Sequence, residues 1–337
     1  MKIVLAMWQA SSIFPRVGLL LGLFACSGPK ENQAGTSETR LADCETPVSY
    51  KVGTMTPTDF ATDSAAATGP VGLSGNWKLV LGDDFNGTAV DASKWATCLR
   101  DLQEPLGWAP SPDVWCERVD IASVHLTRNI VVSDGTVKLT AKKEYFYDPL
   151  MLGPETPAMG GPGYDYTSAI LTTSGNRLQP PTITPTYGFI EARLKYPGKT
   201  GDWPNFWMIP DDNTWPPEIN IGESTGNAST TMGQHYHYGC EAATCPPGWP
   251  GHTEWSTGVA GIDITDWHIY AVDWNPDCIG YYVDGKKTGQ FSLKEFIYSL
   301  PMYIRLEHKL GGHGGDIDDS TLPSQLEADW VRIWERQ

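Results

Sequence analysis

The chain has 337 residues and a formal net charge of −16, with 35 Gly, 26 Pro, 14 Trp, 14 Tyr and only 19% charged residues. That length suffices for a large buried core, and the negative balance argues against nucleic acid or another polyanion as partner. So much glycine and proline divides the chain into many short segments joined by turns.

Lys2 and Arg16 precede an apolar run, Val17 to Ala25, that is too short to span a bilayer. Residues 1–25 read as an export signal. Cys26 follows Ala25 directly, as at a lipoprotein cleavage site, although Phe24 is bulkier than such a site usually holds. Acylation of Cys26 would hold the protein at a cell surface or outer membrane, its one contact with a membrane; ordinary cleavage would release it. Residues 26–73 are polar and small, as in SGPKENQAGTSETR, and are expected to form a flexible tether.

Six cysteines remain after Cys26, an even number that in an exported chain points to disulfides. Cys240 and Cys245 bracket the short loop CEAATC and are the first candidate pair. No Cys-x-x-Cys spacing speaks for a metal.

From residue 74 to 337 the texture is that of β-strands. NIVVSDGTVKLTAKKE holds two alternating runs around Asp134-Gly135, a hairpin signal. YTSAILTT, YGFIEARLKY, NFWMI, EINIGE, QHYHYG, WHIYAVDWN, CIGYYVDGK, MYIRLEHKL and ADWVRIWE follow, with LKEFIYSL as a short helix. Alternation of period two and the absence of a sustained helical period predict an all-β fold, an antiparallel β-sandwich of jelly-roll type. On YGFIEARLKY the residues Ile190, Ala192 and Leu194 face one way and Glu191, Arg193 and Lys195 the other. Trp203, Asn205 and Trp207 share a face opposite Phe206 and Met208, and Ile219 and Ile221 point inward while Glu218 and Asn220 point out. Polar and aromatic residues on one curved sheet face would make a concave groove for a polymer.

In WPPEINIGESTG, Glu218 and Glu223 stand five positions apart, an odd spacing that would put them on opposite faces of a regular strand. A β-bulge near Gly222 would reset the alternation and bring Glu218, Asn220 and Glu223 to one face. Two carboxyl groups about 5–5.5 Å apart are what a retaining glycosidase needs; exposed strand acids without chemistry are the other reading.

EINIGE resembles the bulged Glu-x-Asp-x-x-Glu signature of family-16 glycoside hydrolases, the group of laminarinases, agarases and carrageenases. DDFNGTAVDASKW, TYGFIEARLKYPG, DWPNFWMIP, WHIYAVDWNPDCIGYYVDGK and DWVRIWE are similar to the family in the same order, over roughly residues 76–337. The resemblance implies Glu218 as nucleophile and Glu223 as general acid/base, Trp203 and Trp207 as sugar-stacking rings, and His237 near the acid/base. Arg193 and Glu307, on polar strand faces, are expected to contact sugar; Glu307 with Arg305 and Lys309 also fits a solvated ion-pair edge. No cofactor is implied, but a structural calcium is, near Asp84 and Asp329. Asn220 departs from the family, which has Asp there. The implied protein is a monomeric, endo-acting retaining hydrolase of a β-linked polysaccharide, with β-1,3-glucan ahead of mixed-linkage glucan and galactans. A glucan-binding, lectin-like protein and a transglycosylase stay open as alternatives.

Overall fold

The structure is a computed structural model that describes residues 63–97, 122–146, 163–174, 181–226, 229–240 and 245–337. Residues 1–62, with the expected export signal, Cys26 and most of the expected tether, lie outside the described residues.

The described residues form fifteen strands in two layers. The first layer runs β10 (Thr253–Ala260), β9 (Thr231–Tyr238), β8 (Glu218–Glu223), β7 (Asp202–Pro210), β14 (Met302–Leu310) and β5 (Tyr164–Thr172). The second runs β13 (Lys286–Phe291), β12 (Ile279–Val283), β11 (His268–Trp274), β6 (Gly188–Lys195) and β15 (Ser324–Arg336), which also pairs β1 (Trp77–Asp83). Strand β4 (Thr136–Phe146) joins the layers: Val137 to Ala141 pair β15, and Lys142 to Phe146 pair β5. Strands β2 (Ser123–His125) and β3 (Ile130–Ser133) flank β5 and β4. The layers are antiparallel throughout; only the short β2 adds parallel to β5.

The core lies where the alternation predicts. Ile190, Ala192 and Leu194 of β6 and Val272 of β11 meet Phe206, Met208, Ile219, Ile221, Ile304 and Leu306 of the first layer in one buried cluster. Asp134-Gly135 joins β3 to β4 as a two-residue turn with both φ positive, and Asp284-Gly285 does the same between β12 and β13. Both match the right-handed twist of the strands they join. LKEFIYSL contributes only a single 3-10 turn, Lys294–Phe296.

Residues 64–73, expected to belong to a flexible tether, lie on the folded domain instead. Ser64 is buried, and its backbone N–H and hydroxyl both donate to Asp84, while the Val71 N–H donates to Glu191 at 3.0 Å. Ala67 and Leu73 pack with Trp77 over Phe189, Tyr282 and Trp334 on the outer face of the second layer. Burial of these few apolar side chains and the partners for Ser64 and Val71 explain why a polar-looking segment lies down on the sheet.

Candidate active site

The first layer carries the site, and the bulge builds it. Phe206 pairs Gly222 and Trp207 pairs Asn220 across β7, so β8 holds one residue more than its partner. The same shift appears against β9, where Asn220 pairs His235 and Glu223 pairs Gly233. Ile221 faces the core and Gly222 follows it on that side: a Cβ on Gly222 would stand 2.8 Å from the Tyr196 hydroxyl, which donates to the Gly222 carbonyl at 2.8 Å. Glycine is therefore needed for close approach rather than for an unusual φ. Two consecutive inward positions leave Glu218, Asn220 and Glu223 together on the outward face.

Glu218 and Glu223 line one cleft of about 420 Å³, with Trp203, Trp215 and His235 among its walls. Both oxygens of Glu218 are held: Oε2 accepts from Trp215 Nε1 at 2.9 Å and Oε1 from Asn220 Nδ2 at 2.8 Å. The Asn220 carbonyl in turn accepts from Asn205 Nδ2 at 2.8 Å. Glu223 Oε1 accepts from Trp203 Nε1 at 2.6 Å, and its Oε2 lies 3.5 Å from His235 Nε2. Trp203 carries Lys309 Nζ 3.9 Å from its ring centroid and the His313 ring at 4.7 Å. Trp215 packs on His252 at 4.4 Å, and His252 Nε2 lies 3.1 Å from His237 Nδ1. The disulfide between Cys240 and Cys245 closes the loop between β9 and the segment that bears His252.

Several residues expected at the cleft stand elsewhere. His237 is opposite Glu218, with Nε2 3.9 Å from Glu218 Oε1; the histidine beside Glu223 is His235. Trp207 is on the expected face but only 7% exposed, under Arg305 at 4.3 Å, with its Nε1 donating to Glu307 at 2.9 Å. Glu307 is fully buried and pairs with Lys309 at 3.3 Å, so it holds side chains rather than sugar. Arg193 belongs to β6 in the second layer, paired with Asp329 and 5.0 Å from the Trp267 ring centroid, away from the cleft. Asp329 is the bulged residue of β15 and Asp84 takes the hydrogen bonds of Ser64, with Arg332 at 3.9 Å. Both acids are thus met by donors or cations, with Arg332 near each of them. Among the described residues no group of three or more His, Cys, Asp or Glu is gathered as for a metal.

His235, Trp215 and Glu254 belong to the site without having been singled out, while Asn205, expected on that face, braces Asn220. The signal for His235 is in QHYHYG, where His235 and His237 share a face by alternation. Glu254 lies on β10, a strand whose sequence TEWSTGVA gives little apolar signal.

Residues 119–332 match the family model of the glycosyl hydrolases family 16. The chain is 28% identical over 206 residues to the endo-1,3-1,4-beta-glycanase EglC of Rhizobium meliloti (strain 1021), covering 60% of this chain and 39% of that one. It is 25% identical over 285 residues to a beta-glucanase of Rhodothermus marinus, covering 77% and 85%. Of four other comparably similar curated proteins, EglC included, the chain spans only 34–39% of the length. The solved catalytic domain of an endo-1,3-beta-glucanase (laminarinase) from Thermotoga petrophila RKU-1 superposes with a TM-score of 0.61 at 25% identity, over 78% of this chain and all of that one. With the family's model extending over most of the folded domain and across the bulged strand, the chain belongs to glycosyl hydrolases family 16.

Proposed function

We propose that this protein is an endo-acting, retaining glycosidase that cuts a β-1,3-linked glucan, with Glu218 as nucleophile and Glu223 as general acid/base. The observation that carries this reading is the bulge of β8, which gives both glutamates to one cleft and braces each with an indole N–H. Names of relatives such as endo-1,3-1,4-beta-glycanase and beta-glucanase support the substrate class. In the first step a Glu218 oxygen attacks the anomeric carbon, the glycosidic C–O bond breaks, and the leaving oxygen takes the proton of Glu223. In the second, the Glu223 carboxylate takes a proton from water, whose oxygen attacks the same carbon and frees Glu218. The Trp215 and Asn220 donors steady the negative charge of Glu218 before attack and when it departs. Two carboxyl groups supply nucleophile and proton, so no step needs a cofactor.

In this reading Trp203, which donates to Glu223, stacks on a pyranose beside the acid/base. We also infer export as a monomer, with acylation of Cys26 as the anchor and the segment before residue 63 as the tether; mass spectrometry of the membrane-bound protein tests the acyl group. The activity is tested on a panel of β-1,3-glucan, mixed-linkage β-glucan and galactans, read by reducing-end release and product size. β-1,3-glucan should yield oligosaccharides of mixed length from the earliest times. Binding without new reducing ends would favour a glucan-binding protein, and products longer than a supplied oligosaccharide would favour transglycosylation.

A further inference from the structure

His235 has acceptors alone at its Nδ1. Ser256 Oγ gives its proton to Glu254 Oε1 and so turns a lone pair toward His235 Nδ1 at 3.0 Å. Glu254 Oε1 lies 3.2 Å from the same nitrogen. The hydrogen bond from Ser256 holds the Glu254 carboxyl below the usual carboxylate range, so it is an ionised acceptor. When the ring carries a single proton, that proton belongs on Nδ1, which leaves Nε2 as the lone pair. That lone pair is 3.5 Å from Glu223 Oε2. The other oxygen of Glu223 is occupied by the Trp203 N–H at 2.6 Å, so a proton on Glu223 sits on Oε2, the oxygen that faces His235.

We propose that Glu254 and Ser256, on the edge strand β10, fix the His235 tautomer whose Nε2 accepts from protonated Glu223, making His235 and Glu254 positioning residues for the acid/base. The inference rests on the role proposed above for Glu223. At 3.5 Å the two atoms stand just beyond hydrogen-bond length, so Nε2 accepts from Oε2 only after a small closing movement. When a glycosidic oxygen arrives, the proton moves from Oε2 to that oxygen, and the carboxylate regains one from water; His235 has no net change of charge. The other ionisable groups around this pair include Glu218 on β8, His237 on β9 with His252 behind it, Tyr196 beneath Gly222, and Tyr281 of β12, whose hydroxyl donates to the His235 carbonyl at 2.6 Å. Lys309 of β14 lies over the Trp203 ring, and His313 packs on that ring and lines the same cleft. None of these supplies an acceptor at the His235 Nδ1, which is the feature that selects the tautomer.

Long-range nitrogen–proton NMR on the histidine-labelled full chain reads the tautomer directly, with His235→Gln assigning the resonance. The expected result is an Nδ1–H imidazole in the wild type at neutral pH and loss of that preference in a Glu254→Gln, Ser256→Ala double variant. An Nε2–H ring in the wild type, or an unchanged spectrum in the double variant, would overturn the inference. Kinetics gives the second arm. Glu254→Gln should lower kcat on β-1,3-glucan about tenfold with KM little changed and draw the alkaline limb of the pH profile downward. Hydrolysis of a dinitrophenyl β-glycoside of a β-1,3-linked glucose disaccharide, whose leaving group needs no acid, should be nearly unaffected. Equal losses on both substrates would mean a merely structural role and would count against it. A chain that cuts no glycan at all fails the functional reading alone, since the NMR result still decides the tautomer.

Discussion

Asn220 is 1% exposed and its carboxamide has one orientation available. Because Asn205 donates to its carbonyl, its NH₂ must point to Glu218 Oε1, with His237 Nε2 at 3.4 Å on the same side. An aspartate at this position would keep the contact from Asn205 but replace the donor to Glu218 with a second anion. Like charges favour retention of a proton within the group, so Asn220→Asp is expected to move the alkaline limb of activity upward by on the order of one pH unit and to raise turnover. Superimposable pH–rate profiles for the two forms would show that the middle position does not tune the pair. The two indoles on β7 separate in the same way. Trp207 is buried against Arg305, Glu307 and Lys309, so Trp207→Ala should cost about 3–5 kcal/mol of stability. Trp203→Ala should instead weaken glucan affinity and turnover with a smaller change in melting temperature. Paired thermal melts and binding isotherms distinguish the two, and equal melting losses would contradict the different placements.

At the scale of the strand, alternation in the sequence reveals two faces but not which layer owns them. The inward set Ile190, Ala192 and Leu194 on β6 is legible for that reason, while the outward Arg193 is not: its face is the outside of the second layer, far from the cleft. The bulge is legible because an odd spacing of two acids on an apolar strand has a simple geometric remedy. Strand β10 is not, because it is an edge that exposes every second residue and offers only Trp255 and Val259 to the core, and with it Glu254 and Ser256 go unseen. The outward face of β6 has its own consequence. Glu191 is fully buried beneath Val71 and Trp334, and burial, partly offset by their hydrogen bonds and by Arg332, pushes its carboxyl up to about 7. The folded state therefore holds this proton more tightly than the unfolded chain. Its contribution to stability is complete below the ordinary carboxyl range and is lost as pH rises from there to about 7. Denaturant titrations at pH 5 and pH 8 should show Glu191→Gln losing less stability over that interval than the wild type, by about 2–3 kcal/mol. Parallel losses would contradict a buried, proton-holding Glu191.

For the molecule as a whole, a formal net charge of −16 goes with a cleft that gathers Glu218, Glu223 and Glu254 beside His235, His237 and His313. Such a cleft agrees with the neutral glucan proposed as substrate, since a sulfated or uronic chain would meet carboxylates along its path. The two layers supply a rigid frame, and the bulge in one strand of that frame is the device that turns a structural sheet into a site with two converging acids. The central claim is that Glu218 and Glu223 act together in double displacement, and the anomeric configuration of the first product tests it most directly. Proton NMR recorded during the earliest turnover of a β-1,3-linked glucan should show the β-anomer appearing first, with the α-anomer growing in only by mutarotation. Initial appearance of the α-anomer would contradict the account, because it would mean a single displacement by water with no glycosyl intermediate on Glu218.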